Sequence, residues 1–353
     1  MCIAADAPTR ATLKTCLETH GLLVNDLGNL DVYIGIQINR NRSTRWIYLS
    51  QEDYIWKTLK MFGMEECKPI ATPMAEATLP LHGIPLSSTE TKQYQRLIGC
   101  LLYIMYGTRP DIVYSVIRLL QHAAAPLQCH WLALKRILRY LKGTSGVSLC
   151  LGIQNTQNGA PNPDLVGYFD AAHADSTKRR STAGYLFLLC DSPLSWASKV
   201  QRTVALSTTE AEYMAATEAA KECLWICSVA PDLGWNLKKP IRLFGDNQVA
   251  NALTRNTESH QRTKHIDIRH RFITSLVEDG SLTVSYIPSD QMLADMFTKP
   301  LPKSKHELHC QLMGLCYTSE LMCMKCSAIF NTNKSLRSHI INGHLQPRGE
   351  LEF

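Results

Sequence analysis

The chain has 353 residues, 45% hydrophobic and 19% charged, with a formal net charge of +6. That length accommodates two or three domains with cores of their own, and the composition is globular rather than disordered or fibrous. No apolar run reaches the roughly 18 residues a membrane helix needs, no signal peptide opens the chain, and thirteen irregularly spaced cysteines point to a reduced, intracellular setting rather than a disulfide framework.

In chain order, residues 1–75 predict a helical stretch around 13–20 and a strand pair, 31–38 and 46–50, joined by the polar turn 39–44. A Pro-containing linker, 69–85, follows. Three helical patterns then start near Tyr94, after Pro110 and through 131–141, the last ending at Gly143 with Lys142 in its final turn. That last helix carries Lys135, Arg136, Arg139 and Lys142, which read equally as a solvated basic face or as a phosphate-tracking one.

Residues 160–300 have a different rhythm. Strands are predicted at 164–170, 184–190 and 194–199, then a long helix over 207–230 opened by Ser207 with Glu210 three places on, the spacing of a capping box. A strand at 240–245, helices at 247–254 and 264–278, a strand at 281–287 and a last helix from Ser289 complete the order. Three strands, helix, strand, helices, strand, helix predicts an α/β fold, a mixed sheet with helices packed on it.

Four acids stand at strand ends or on helices of this region: Asp170, Glu212, Asp246 and Asp295. Phosphodiester hydrolysis by two divalent ions about 3.5–4 Å apart needs clustered hard oxygen ligands, which Asp and Glu supply and His and Cys do not. Singly each acid reads as a turn former or cap; together they suggest a magnesium site. Glu210 competes with Glu212, but the capping role fits Glu210 and leaves Glu212 free.

The stretches Tyr168-Phe-Asp-Ala-Ala, Arg179-Arg-Ser-Thr-Ala-Gly-Tyr, Ser195-Trp-Ala-Ser-Lys and Ala205-Leu-Ser-Thr-Thr-Glu-Ala-Glu-Tyr-Met-Ala continue through Asp246-Asn, Arg262-Thr-Lys-His-Ile-Asp-Ile-Arg, Tyr286-Ile-Pro and Leu293-Ala-Asp-Met-Phe-Thr-Lys-Pro-Leu. This run resembles the ribonuclease H domain of copia-type retrotransposon Pol polyproteins. The resemblance implies a ribonuclease H-like mixed sheet, Mg²⁺ or Mn²⁺ as cofactor, cleavage of RNA in RNA/DNA hybrids, and metal-binding acids at Asp170, Glu212, Asp246 and Asp295. Two departures stand out: Asp170-Ala-Ala-His-Ala replaces the family's Asp-Ala-Asp-Trp-Ala, and Ser198-Lys-Val-Gln replaces Ser-Lys-Lys-Gln, leaving Lys199 as the cation there.

Residues 1–150 resemble the end of the reverse transcriptase of the same family, through Asp26-Leu-Gly-Asn-Leu, Gly35-Ile-Gln-Ile, Tyr94-Gln-Arg-Leu-Ile-Gly, Thr108-Arg-Pro-Asp-Ile and Arg136-Ile-Leu-Arg-Tyr-Leu-Lys-Gly-Thr. In that family a segment like Met1-Cys-Ile-Ala follows the catalytic Tyr-Val-Asp-Asp strand, so no polymerase activity is expected of this chain. The expected organisation is a reverse transcriptase remnant at 1–75, a mainly helical thumb or connector at 76–155, the nuclease domain at 160–300, a linker at 301–320 and a zinc finger at 321–346.

The tail carries Cys323 and Cys326 two residues apart, then His339 and His344 after a gap of twelve, a spacing suited to tetrahedral zinc. Phe330 and Leu336 occupy the small core of the two-Cys two-His ββα finger that this segment resembles. Its base-reading positions fall on Thr332, Ser335 and Ser338, poor bidentate readers of purines, so Lys325, Lys334 and Arg337 would serve phosphate. The expected function is a hybrid ribonuclease with an appended finger, its partners being nucleic acid and other element-encoded Pol or Gag products, in a cytoplasmic particle or the nucleus. The alternative is an inactive or domesticated relic acting through the finger.

Overall fold

The computed structural model describes residues 7–25, 28–43, 45–75, 79–80, 82–152, 163–173, 179–246, 264–317, 321–322 and 329–330. Two five-stranded sheets organise them. The first, in order β1-β2-β3-β4-β10, is antiparallel throughout and comprises β1 (Val32–Tyr33), β2 (Ile36–Asn41), β3 (Trp46–Ser50), β4 (Val147–Gly152) and β10 (Leu315–Tyr317). Helices α2 (Glu52–Met61), α3 (Ser88–Gly107), α4 (Val113–Leu120) and α5 (Gln128–Gly143) bury Leu59, Leu101, Leu119 and Ile137 in one core with Leu149 of β4. Capping fixes where α3 begins: the Ser87 hydroxyl accepts from Glu90 N–H while the Glu90 carboxylate accepts from Ser87 N–H. The preceding helix α1 (Ala7–Thr19) buries no side chain.

The second sheet has the order β7-β6-β5-β8-β9. Strands β5 (Leu165–Ala172), β6 (Thr182–Leu189) and β7 (Ser192–Val200) are antiparallel neighbours. Strands β8 (Ile241–Gly245) and β9 (Leu282–Tyr286) add in parallel, which requires crossovers, and these contain α6 (Thr208–Val229) and α7 (Lys264–Glu278). The twofold alternation along β6 divides the faces. Phe187 packs with Phe169, Leu243 and Val284 in the core under α6 and α7, whereas Leu186 and Leu188 join Met296 and Phe297 in the core of the first sheet. The two sheets therefore share buried surface, and the Trp196 indole N–H of β7 donates to the Met105 carbonyl of α3 at 2.9 Å.

The mixed sheet flanked by helices over 160–300 is the architecture the sequence predicted, with three departures in detail. First, the stretch read as a linker, 301–320, contains α8 (Lys303–Leu312) and β10, and β10 pairs with β4. Second, the described part of 76–155 is mainly helical, through α3, α4 and α5, but it ends in a strand the sequence reading missed: β4 completes a sheet with β1 to β3, is buried on both faces and so shows no alternation to read. Third, no helix opens at Ser289; Asp295 lies on a short 3₁₀ turn, Leu293–Phe297, and Pro300 and Pro302 keep that turn from running into α8. Cys150 and Cys316 form a disulfide across β4 and β10, while the other described cysteines are free. The predicted helix at 247–254 and the finger's Cys323, Cys326, His339 and His344 lie outside the described residues, as do Lys325, Lys334 and Arg337; the tail's described part is the antiparallel pair β11 (Leu321–Met322) and β12 (Ile329–Phe330).

One buried ion pair ties α3, α5 and α8 together. The Arg109 guanidinium bonds both oxygens of Asp111, at 3.0 and 2.7 Å, and also the Thr144 carbonyl and hydroxyl beyond the end of α5. Tyr140 of α5 donates to Asp111 at 2.6 Å, and His306 of α8 lies 3.4 Å from the Asp111 carbonyl. Burial alone would push the Asp111 carboxyl up, yet the guanidinium and these hydrogen bonds hold it below the usual carboxylate value. Removing one partner strands the other charge in the core. Arg109→Met is expected to destabilise the chain by about 3–5 kcal/mol in urea unfolding, and a loss below ~1 kcal/mol would show the pair to be dispensable.

Candidate active site

Asp170 lies near the C-terminal end of β5, opposite Gly184 of β6. That glycine is needed for close approach: a Cβ there would sit 2.7 Å from Phe297 Cβ and 2.8 Å from Thr298 Cγ2. Its absence lets the 3₁₀ turn carrying Asp295 lie directly on the strand beside Asp170. The Thr298 hydroxyl then donates to Asp170 Oδ2.

Glu212 is presented by the first turns of α6, whose start is set by the Ser207 hydroxyl accepting from Glu210 N–H at 3.1 Å. The Glu210 carboxylate turns back to accept from Leu206 N–H at 2.6 Å, so it is occupied in capping as its position predicted. Glu212 is only 4% exposed, and its Oε2 is buried with no hydrogen-bond partner. Asp246 follows β8, and the Ser289 hydroxyl donates to its Oδ2 at 3.0 Å.

These three acids converge. One carboxylate oxygen from each of Asp170, Glu212 and Asp246 lies within 4.8 Å of the others. Asp295 stands beside them but differently engaged: Lys299 Nζ lies 2.7 Å from its Oδ1 and 3.9 Å from Asp170 Oδ2, and Lys305 Nζ of α8 lies 2.6 Å from its Oδ2. Crowding shows in the acidities. Burial pushes the Glu212 carboxyl up to about 9, with the negative charges of Asp170 and Asp246 adding to it. Burial likewise pushes Asp170 up to about 6, opposed by Lys299 and reinforced by Asp295 and Asp246.

Lys299, Lys305 and Thr298 had no role beside the acids in the sequence reading, and Ser289 was read only as the start of a helix. For Lys299 a signal existed, since it stands four residues after Asp295. Four of the basic residues that were singled out take partners within the chain. Lys135 Nζ stacks 5.2 Å over the Trp131 ring, Arg136 bonds the carbonyl and hydroxyl of Thr72, and Arg139 donates to the Lys68 carbonyl at 2.7 Å. Exposed Lys199 lies 3.5 Å from Glu218, and half-buried Lys142 ends α5. His270 stacks edge-on with Tyr213 at 5.7 Å, while the side chain of His265 lies outside the described residues.

An acid whose folded pKa is raised above its unfolded value keeps its proton in the folded state after the unfolded chain has lost it, so stability falls as pH rises between the two values. For Glu212 that window runs from about 4.5 to about 9. In chelator, the unfolding free energy from urea titration is expected to decline from pH 5 to pH 8 by up to about 1.4 kcal/mol per pH unit, and Glu212→Gln should flatten that decline; parallel profiles for the two proteins would contradict it.

No family model matches the chain. It is 40% identical over 299 residues to the retrovirus-related Pol polyprotein from transposon TNT 1-94 of Nicotiana tabacum, a match covering 83% of this chain and 22% of that protein. It is 38% identical over 276 residues to the retrovirus-related Pol polyprotein from transposon RE2 of Arabidopsis thaliana, covering 77% of this chain and 18% of the relative. The chain thus spans about a fifth of the length of these relatives. Among solved structures, LC11-RNase H1 isolated from compost is 13% identical, covering 39% of this chain and 94% of its own, with a TM-score of 0.31. The chain is a homologue of the retrovirus-related Pol polyproteins of plant copia-type transposons.

Proposed function

We propose that this chain is a retrotransposon-derived ribonuclease H that hydrolyses the RNA strand of RNA/DNA hybrids, with Asp170, Glu212, Asp246 and Asp295 as its acidic centre and Mg²⁺ or Mn²⁺ as cofactor. The observation that carries the reading is the convergence of Asp170, Glu212 and Asp246, from a strand, a helix and a strand end far apart in sequence, on one point. The donor set fits a hard divalent cation. All the donors are carboxylate oxygens, and the buried, unpartnered Oε2 of Glu212 is a group whose desolvation only a cation or proton offsets.

Divalent ions bound here would supply an activated water and neutralise charge at the leaving oxygen of the phosphodiester. The chain's part is positioning. The Thr298 hydroxyl orients Asp170, the Ser289 hydroxyl orients Asp246, and the capped start of α6 fixes the height of Glu212 along its helix. Burial of Asp170 and Glu212 keeps water from screening the site, which strengthens every electrostatic contact made inside it. In the same reading Lys199, Lys142 and Lys135 follow the phosphate backbone, and the tail 321–346 binds zinc through Cys323, Cys326, His339 and His344 and adds nucleic-acid contacts from Lys325, Lys334 and Arg337.

Purified full-length chain with Mg²⁺ is expected to cut the labelled RNA strand of a hybrid and spare its DNA strand, while Asp246→Asn and Glu212→Gln fall to the background of a mock purification. Equal cleavage by wild type and Asp246→Asn would remove the enzyme from consideration. For the tail, protein purified from zinc-supplemented culture is expected to carry about one zinc per chain by elemental mass spectrometry; unchanged zinc content in Cys323→Ser would refute the finger.

A further inference from the structure

The acid cluster holds a feature that the proposed reaction does not use. Both oxygens of Asp295 are already in ion pairs, Oδ1 with Lys299 at 2.7 Å and Oδ2 with Lys305 at 2.6 Å. The Lys299 ammonium also approaches Asp170 Oδ2 at 3.9 Å, so a single positive group bridges two carboxylates brought together from β5 and the 3₁₀ turn. That is the placement a small cation would take. The other half of the cluster is different. Among the described residues, Asp170, Glu212 and Asp246 converge within 4.8 Å with no cation of the chain paired to Glu212 or Asp246, and Glu212, 4% exposed, keeps one oxygen without a hydrogen-bond partner.

Charge counting separates the two halves further. Once ion binding has displaced the proton that burial leaves on Glu212, four ionised carboxylates set against the ammoniums of Lys299 and Lys305 leave two negative charges, which one divalent ion cancels. A second divalent ion would leave an excess of positive charge in a largely buried space, where an uncompensated charge is costly. Withdrawal of one ammonium halves that excess, from two charges to one. Lys299 is placed to withdraw: its side chain is 43% exposed, against 1% for the Asp295 side chain it neutralises.

We infer that the Lys299 ammonium is the resident cation of the Asp170–Asp295 half of the cluster, so that the free protein takes up one divalent ion, at Asp170, Glu212 and Asp246, and admits a second only when Lys299 leaves. The inference rests on the nuclease reading and deepens it. Lys299 is a positioning residue here: it acts on the reaction through the occupancy of the acids it neutralises.

The test is a count of bound ions. Full-length, zinc-loaded protein is titrated with Mn²⁺, and bound ions are counted from the loss of the free-ion electron paramagnetic resonance signal, with Asp246→Asn titrated alongside to subtract sites elsewhere. Wild type is expected to bind one Mn²⁺ above that blank. Lys299→Met is expected to bind two, or to tighten the weaker of two binding events by at least about tenfold, while Lys299→Arg keeps the wild-type count. The inference is overturned by wild type binding two ions with similar affinity, or by Lys299→Met titrating like wild type. The first of these outcomes needs no variant, so it decides the matter even where Lys299→Met does not fold. Wild type that binds no Mn²⁺ above the blank would overturn the inference together with the nuclease reading beneath it, whereas one ion bound identically by wild type and Lys299→Met would overturn the inference alone.

Discussion

Like charges held close together out of water are the constraint around which the C-terminal half of this chain is arranged. Asp170, Glu212 and Asp295 are 3%, 4% and 1% exposed, and Asp246 stands with the first two. Left uncompensated, such a group would be driven apart or would hold protons, and the raised acidities of Glu212 and Asp170 record that pressure. What keeps the acids in place is backbone rather than attraction among them. Asp170 is locked in the β5–β6 ladder, Glu212 in a capped helix, and Asp295 in a turn laid against Gly184. A site whose geometry is held at a cost to the metal-free fold is a site prepared for positive charge.

The same logic of neutralisation governs the first half, with a different solution. At Arg109 and Asp111 both charges are the chain's own, and the guanidinium's five donors let it satisfy the carboxylate and the end of α5 at once. That pair is a closed unit, whereas the Asp170, Glu212 and Asp246 cluster is an open one, with Glu212 Oε2 lacking a partner. The contrast between a carboxylate with all its partners and one left with an unpaired oxygen separates the two centres more sharply than burial does, since Asp111 and Glu212 are both buried.

How far the sequence carried this reading depends on whether a residue's partners were local. The order of elements over 160–300 was legible because period-two strands and a capped long helix leave patterns within a single window. Glu212 could be separated from Glu210 because a capping role is decided three residues away, at Ser207. Asp170 and Asp246 were legible as strand-end acids. Lys305 was not, because its partner Asp295 lies across the Pro300 and Pro302 break, and nothing in the spacing predicts that α8 turns back toward the acids. Strand β4 was missed because burial on both faces erases alternation, and β10 because three residues carry no pattern. Arg136 and Arg139 read as a basic face, yet their partners Thr72 and Lys68 belong to a segment whose path only the folded chain reveals.

Helix α8 links the two charged centres. From its N-terminal half Lys305 reaches Asp295, and one residue later His306 touches the carbonyl of Asp111 and stacks edge-on against Tyr140. Its C-terminal end leads into β10, which pairs with β4 in the first sheet. Leu312 and Met313 at that end are buried in the core that Leu186, Leu188 and Phe297 of the second sheet also enter. A displacement of α8 therefore cannot be confined to one half of the molecule. Loosening the Arg109–Asp111 pair frees the His306 side of the helix, and the shift is delivered to the ammonium that neutralises Asp295. A packed core conveys such shifts because it has little free volume in which to absorb them. The occupancy of the acid cluster and the stability of the helical half are thus properties of one connected structure rather than of two domains in sequence.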